Sequence, residues 1–242
     1  MPQHHISRKD LKKDEFREKL THGAEAIRSH QGLTGIVAAA LIVIALGVGG
    51  WRLYSQSQAA HASSSLDDAL KIYDARIRTA SEPAQPSELT YLDEKTKYQD
   101  AVKKFDDVAV RYGHTRPGQQ ALYYAATCYE HLGQSAQAEK DLQSLIDENG
   151  DLTPLAKFEL AQVYAKSGKS QQAAQLYQQL IGAPTVLVPK PFVMLSLADL
   201  YSQTNPPEAT KLLNQIKTEF PNSPAADEAQ KRLEIPALPG HP

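Results

Sequence analysis

LYYAATCYEHLGQSAQAEKDLQSLI, residues 122–146, and KFELAQVYAKSGKSQQAAQLYQQLI, residues 157–181, carry the same kinds of letters at the same places. Ala126, Tyr129, Gly133 and Ala138 fall on Ala161, Tyr164, Gly168 and Ala173, each 35 residues further on. A third copy, VMLSLADLYSQTNPPEATKLLNQI from Val193, supplies Ala198, Tyr201 and Ala209. It has Asn205 in place of the turn glycine and is one residue shorter. Each copy reads as two helices joined by a tight turn. Ala126, Ala161 and Ala198 are small because the two helices of a hairpin touch there. Tyr129, Tyr164 and Tyr201 are expected to fill the gap toward the next helix. Gly133 and Gly168 can take the left-handed backbone that ends a first helix. Ala138 and Ala173 let the second helix approach closely. Hairpins repeated at this period stack into a solenoid, so the fold class is all-α.

Downstream of the third copy comes EFPNSPAADEAQKRL, residues 219–233. Pro221 and Pro224 interrupt the chain, Ser223 can cap, and Ala226, Ala229 and Leu233 mark a short last helix covering the open end of the stack. Residues 235–242 read as a loose tail. Upstream, Ala101, Phe105 and Val108 resemble the second helix of an earlier copy. They lie in a helix expected over Tyr91–Tyr112, with Tyr98, Val102, Phe105, Val108 and Ala109 on one face and Gly113 ending it. Ser81–Ser87, with two prolines, is a loop. From Arg52 to about Ala80 nothing breaks a helix, and Leu66, Ala69, Leu70, Tyr73 and Ile77 recur at helical spacing.

Before that comes QGLTGIVAAALIVIALGVGGW, residues 31–51, which contains no ionisable side chain. Its 21 residues make a helix of roughly 32 Å, enough for a hydrocarbon core of about 30 Å. We read it as a transmembrane helix, with its boundary at residues 31–54, that runs on as a stalk. The tail before it holds seven lysines and arginines (Arg8, Lys9, Lys12, Lys13, Arg17, Lys19 and Arg28), whereas after Arg52 the next cation is Lys71. Basic flanks stay in the cytoplasm, so residues 1–30 are expected inside and the bulk of the chain outside. A cleaved signal peptide has a shorter leader and an apolar core of about 7–15 residues. A lipoprotein needs a cysteine after the apolar run, and the single cysteine, Cys128, is far downstream. Gly35, Ala39, Ala40, Ala45 and Gly49 would permit close contact with another helix. Arg8–Ser29 has helical composition, either solvated or lying on anionic lipid.

The residues after Arg52 hold 18 lysines and arginines against 23 acids, a net charge of −5. An acidic domain is a poor partner for nucleic acid, which demands phosphate neutralisation. Cys128, in an alanine-rich helix, reads as a small buried apolar residue. Ser167-Gly168-Lys169-Ser170 imitates the end of a phosphate loop, but Val163 stands where the upstream glycine is required, and the repeat turn accounts for the same letters. No metal-binding or nucleophile–base spacing occurs: His4 and His5 have no ligand partner near them, and His61, His114, His131 and His241 are scattered. The expectation is a protein that is not an enzyme and takes no cofactor, metal or small-molecule substrate.

In such a stack the first helix of each hairpin lines a concave face. The positions left over from packing are Tyr123, Thr127, Glu130 and His131, then Phe158, Gln162 and Lys166, then Phe192, Leu195, Asp199 and Ser202. Aromatic anchors ringed by polar groups suit an extended peptide or a partner helix; the alternative is ordinary solvated helix. Thr185-Val186-Leu187-Val188 is apolar enough to pack under the third copy.

The period and the small–aromatic–Gly–Ala spacing resemble the tetratricopeptide repeat. The charged tail, the span ending in Gly50-Trp51-Arg52, the Ser/Ala-rich stalk and the degenerate repeats together resemble the bacterial ancillary Sec-translocon subunits, the YfgM-like family. The run from Tyr112 to Tyr129 and FPNSPAADEAQKRL are also similar to repeats of periplasmic proteins such as BamD and CpoB, which lack this uncleaved span. The resemblance implies a single-pass inner-membrane protein whose periplasmic repeat domain, residues 55–234, assists translocation or hand-over to chaperones. Its partners would be translocon subunits, periplasmic chaperones or envelope proteins. A scaffold for envelope assembly or division, and a holdase for unfolded clients, are the competing expectations.

Overall fold

A computed structural model describes residues 31–83, 85 and 88–234. The expected basic tail with its Arg8–Ser29 helix and the loose end at 235–242 lie outside the described residues, as do three positions of the Ser81–Ser87 loop. Among the described residues there are nine helices and one pair of two-residue strands. In chain order these are α1 (Gln31–Tyr73), β1 (Arg76–Ile77), β2 (Thr90–Tyr91), α2 (Glu94–Tyr112), α3 (Arg116–His131), α4 (Ser135–Asp147), α5 (Thr153–Lys166), α6 (Ser170–Gly182), α7 (Lys190–Thr204), α8 (Pro206–Glu219) and α9 (Pro224–Glu234). They fall into two compact units, one up to Ser57 and one from Gln58 onward.

In the first unit every described side chain from Ile36 to Ser57 is exposed. These residues belong to the one helix, among those described, that is long and apolar enough to cross a membrane. Trp51 and Tyr54 pair along it, with ring centroids 6.5 Å apart.

In the second unit the helix boundaries follow local chemistry. Asp93 caps α2, its Oδ1 accepting from the Thr96 N–H at 2.8 Å. Thr115 caps α3 through its hydroxyl and the Gly118 N–H at 3.2 Å, and Ser223 does the same for α9 with Ala226 at 3.2 Å. Proline occupies the first turn of α3, α5, α7, α8 and α9, where its missing N–H has no intrahelical partner to lose. Gly133 and Gly168 have φ of 72° and 76°. Each closes its hairpin with the same long backbone bond, Gln134 N–H to Tyr129 O and Lys169 N–H to Tyr164 O, both at 2.8 Å.

Four boundaries differ from expectation. α2 begins at Glu94 because Asp93 takes the cap, which leaves Tyr91 in an extended strand. α1 stops at Tyr73, not near Ala80, and Arg76–Ile77 runs parallel to Thr90–Tyr91. Arg76 holds the intervening loop by ion pairs to Glu82 at 2.7 Å and Glu88 at 3.2 Å. Gly113 follows α2 in a right-handed conformation (φ −54°), so the chain turns there without left-handed backbone. Asn205 alone separates α7 from α8 and has a negative φ (−154°, with ψ 74°), which dispenses with the glycine of the other copies.

The hairpin alanines meet their purpose: Ala126, Ala138, Ala161, Ala173, Ala198 and Ala209 are all buried. Two clusters form the core. The smaller joins Leu66 and Ala69 of α1 to Phe105 of α2 and Ala125 and Cys128 of α3. There Tyr73, Phe105 and Tyr124 pack as an aromatic group, with centroids 5.4–6.1 Å apart. The larger cluster runs from α3 to α9. The repeat tyrosines pack in or against the larger cluster, and their hydroxyls make a second contact. The Tyr129 hydroxyl donates to Asp106 at 2.7 Å and that of Tyr164 to Glu139 at 3.1 Å, while Tyr201 accepts from Gln178 at 3.3 Å. Each phenol thus finds its polar partner on the helix before it, because the preceding second helix carries the side chain able to hydrogen-bond there.

Candidate functional site: the face of the first helices

Copies one and two are offset by 35 residues, and copies two and three by 37 over their first helices, as Ala161 to Ala198 shows. That register places Tyr123, Phe158 and Leu195 in one column across α3, α5 and α7. Tyr124, Glu159 and Ser196 form the next, and Thr127, Gln162 and Asp199 the one after. The apolar column and its neighbours enclose a cavity of about 600 Å³. Its wall includes Tyr123, Leu155, Phe158, Glu159, Phe192, Leu195, Ser196, Asp199 and Arg232, with Val186–Pro189 along one side. Phe158 is held edge-on by Tyr177 of α6, centroids 5.9 Å apart. A second cavity of about 400 Å³ takes in Gln162, Lys166 and Gln203 and shares Ser196 and Asp199 with the first. The groove therefore runs from an aromatic end to a polar one.

The loop before α7 shapes the apolar end. Its turn is tied twice: the Val188 N–H donates to the Thr185 hydroxyl at 3.1 Å and the Thr185 N–H to the Val188 carbonyl at 3.2 Å. Val188 packs inward, as the whole segment was expected to do. Val186 is instead 95% exposed and Leu187 51% exposed, so they form an apolar lip. Phe192, 47% exposed, adds an aromatic ring to the same surface. Exposed aliphatic and aromatic groups concentrated at one cavity mark a contact surface more than scattered ones do.

Polar groups are distributed unevenly. Arg232 of α9 pairs with Asp199 and Glu228 and donates to the Leu195 carbonyl, which fastens the last helix across the cavity. Burial pushes the Tyr123 phenol upward, so it stays neutral. Burial also raises the Glu159 carboxyl, with Lys166 opposing and the Glu130 charge adding. Glu130 is not a wall of either cavity but reaches toward Lys166, Oε2 to Nζ 3.5 Å.

Of the expected groove residues, Tyr123, Phe158, Phe192, Leu195 and Asp199 meet at the first cavity, and Gln162 and Lys166 join Asp199 at the second. Leu195 is buried there, serving as floor and not as an exposed contact. Three others are turned to different work. Thr127 donates its hydroxyl to the Tyr124 carbonyl at 2.8 Å. His131 stacks on Tyr98 of α2 with centroids 4.0 Å apart, and burial holds its imidazole below the ordinary pKa. Ser202 donates to the Asp199 carbonyl at 2.6 Å. Leu155, Glu159, Ser196 and Arg232 were not foreseen. The column register would have supplied Glu159 and Ser196, and treating α9 as a further first helix would have supplied Arg232.

A family model described as a tetratricopeptide repeat-like domain matches residues 30–183, well over half of the chain, and one described as a tetratricopeptide repeat matches residues 192–223. No curated protein sequence matches the chain. Among solved structures, the TPR-like repeats of a kinesin light chain from Podosopora anserina are 19% identical over 58% of this chain and 77% of that one, with a TM-score of 0.49. PilF of Pseudomonas aeruginosa is 17% identical over 57% of this chain and 61% of its own, TM-score 0.41. BtubC of P. vanneervenii is 16% identical over 78% of this chain and 94% of its own, TM-score 0.41. None of these distant likenesses bears on function.

Proposed function

Because the chain belongs to the tetratricopeptide repeat-like domain family, whose repeats serve in general as protein-interaction modules without chemistry of their own, we propose that it is a membrane-held adaptor gripping other polypeptides along the face of α3, α5 and α7. One observation carries this reading: five of the eleven residues chosen from repeat register, Tyr123, Phe158, Phe192, Leu195 and Asp199, on three successive first helices, line one cavity with an exposed apolar lip. In this reading α1 crosses the inner membrane, with residues 1–30 cytoplasmic and the repeats periplasmic. The seven cations before the apolar run support that orientation. The family match from residue 30, which takes in the apolar helix together with the first repeats, supports the anchor as part of the design. The layout resembling the ancillary Sec-translocon subunits supports a role beside the secretion channel, assisting translocation or passing emerging chains to chaperones.

Photo-crosslinking tests it. A photoreactive residue is placed at Phe192 on the lip, at Val43 in the apolar helix, and at Lys211 on α8 as a control. The expected result is channel-subunit adducts from Val43, chaperone or exported-chain adducts from Phe192, and few from Lys211. Equal protein adducts from Phe192 and Lys211 would remove the groove from the mechanism. Adducts from Val43 that contain no channel subunit would remove the translocon role.

A further inference from the structure

Near the polar end of the groove stands a carboxylate that lacks a partner. Glu130, on the last turn of α3, keeps only 7% of its side chain exposed. Among the described residues nothing donates to its Oε1. Its Oε2 lies 3.5 Å from Lys166 Nζ, long for a charge-assisted hydrogen bond, and Lys166 keeps 65% of its side chain exposed. Glu159 stands seven residues before Lys166 on the same face of α5, accepts from Gln162 Nε2 at 3.2 Å and lines the apolar cavity. The ammonium beside Glu130 is thus loosely held. The other nearby cation, Arg232, is committed to α7 and α9 acceptors, and the His131 ring lies against Tyr98.

A buried carboxylate oxygen without a donor is costly, and a cation supplies donor and countercharge together. No three carboxylates, imidazoles or thiols converge among the described residues as a metal site would need, so the chemistry favours an organic cation. We propose that the groove takes an extended segment in which a lysine or arginine lies four residues from an apolar side chain, on the same face of the segment. The apolar group enters the aromatic cavity, and the cation takes the place of Lys166 against Glu130. This rests on the groove-binding reading above. Tyr123 and Glu130 lie seven residues apart on one face of α3, about 10 Å; in an extended chain same-face side chains recur every second residue, and positions four apart, about 13 Å, bring both groups within side-chain reach. The net charge of −5 after Arg52 favours the approach of such a segment.

The test uses the full chain in nanodiscs of zwitterionic lipid and fluorescein-labelled Gly/Ser decapeptides read by anisotropy. Each carries one Phe, followed four residues later by Lys, Glu or Ser. The parent should bind the Lys peptide about tenfold tighter than the Glu peptide. Glu130→Gln should reduce that preference to below about threefold. Lys166→Met, which removes the competing ammonium, should enlarge the preference about threefold or more, and so tests the idea even if Glu130→Gln unfolds. A parent that does not discriminate, with Phe158→Ala still weakening all three peptides, sinks the charge inference and spares the groove. Full preference retained in Glu130→Gln, or no change in Lys166→Met, sinks it as well. Failure of every peptide to bind removes the groove reading and this inference together.

Discussion

Replacing Gly168 with alanine separates backbone strain from packing. At φ 76° the residue sits in the left-handed region, and a Cβ built there meets no atom within 4 Å. The whole cost is therefore conformational. An L-residue loses about 1–2 kcal/mol in that conformation, and the stiffer unfolded chain returns about 0.4–1 kcal/mol. The net loss is about 1 kcal/mol. Gly133, with φ 72° and equally open space, predicts the same value. One repeat apart and sharing no partner, the two should add to about 2 kcal/mol. Gly182 is the internal control: it ends α6 with right-handed backbone and also has open space around a built Cβ. There alanine should be neutral or stabilise by up to about 1 kcal/mol. Urea titrations of the chain in nanodiscs, followed by helical circular dichroism, give the three values. If Gly168→Ala is as stable as the parent, or Gly182→Ala loses as much as Gly168→Ala, the two glycines are not in the turn geometry described.

Ala161, fully buried at the α5–α6 contact, should not tolerate Trp; a loss of roughly 1–3 kcal/mol or more is expected in the same titration, and an unchanged midpoint would refute the hairpin alignment. Glu139 accepts from Lys169 at 2.6 Å and from Tyr164 at 3.1 Å, and the Lys169 bond chiefly holds its carboxyl below the ordinary 4.5. A depressed folded pKa gives stability that is complete above 4.5 and fades as pH falls below it. The melting temperature of the parent should thus drop toward that of Glu139→Gln on acidification, by less than about 1 kcal/mol because the pair is partly exposed; parallel curves from neutral to acid pH would count against the bond. Burial pushes the Cys128 thiol up to about 12, so maleimide should label it only after denaturant is added, and fast labelling of the folded chain would contradict its buried placement.

Positions where every copy must solve the same steric problem were legible. A hairpin contact admits only a small side chain, hence Ala126, Ala161 and Ala198; a left-handed turn favours glycine, hence Gly133 and Gly168. Where one copy solves the problem differently, the pattern misled: Asn205 joins two helices with a negative φ, so no left-handed turn is needed. The start of α2 was misplaced because Tyr91 fits a helical face as well as a strand, and the Asp93 cap decides between them. The strand pair could not be read from periodicity, since Ile77 and Tyr91 meet only when the loop between them closes. On the groove, residue choice by column found the aromatic anchors. It could not show that His131 lies against Tyr98, or that Glu130 is enclosed, because both depend on neighbours more than 30 residues away in the chain.

The hydrogen bonds of the repeat tyrosines all reach upstream. Tyr129, Tyr164 and Tyr201 find their partners 23–25 residues earlier in the chain. A chain that emerges amino end first, from a ribosome or through a pore, therefore presents each new hairpin with a finished surface already waiting for it. Assembly can advance one unit at a time in the order of synthesis, each unit adding to the core begun by the one before it.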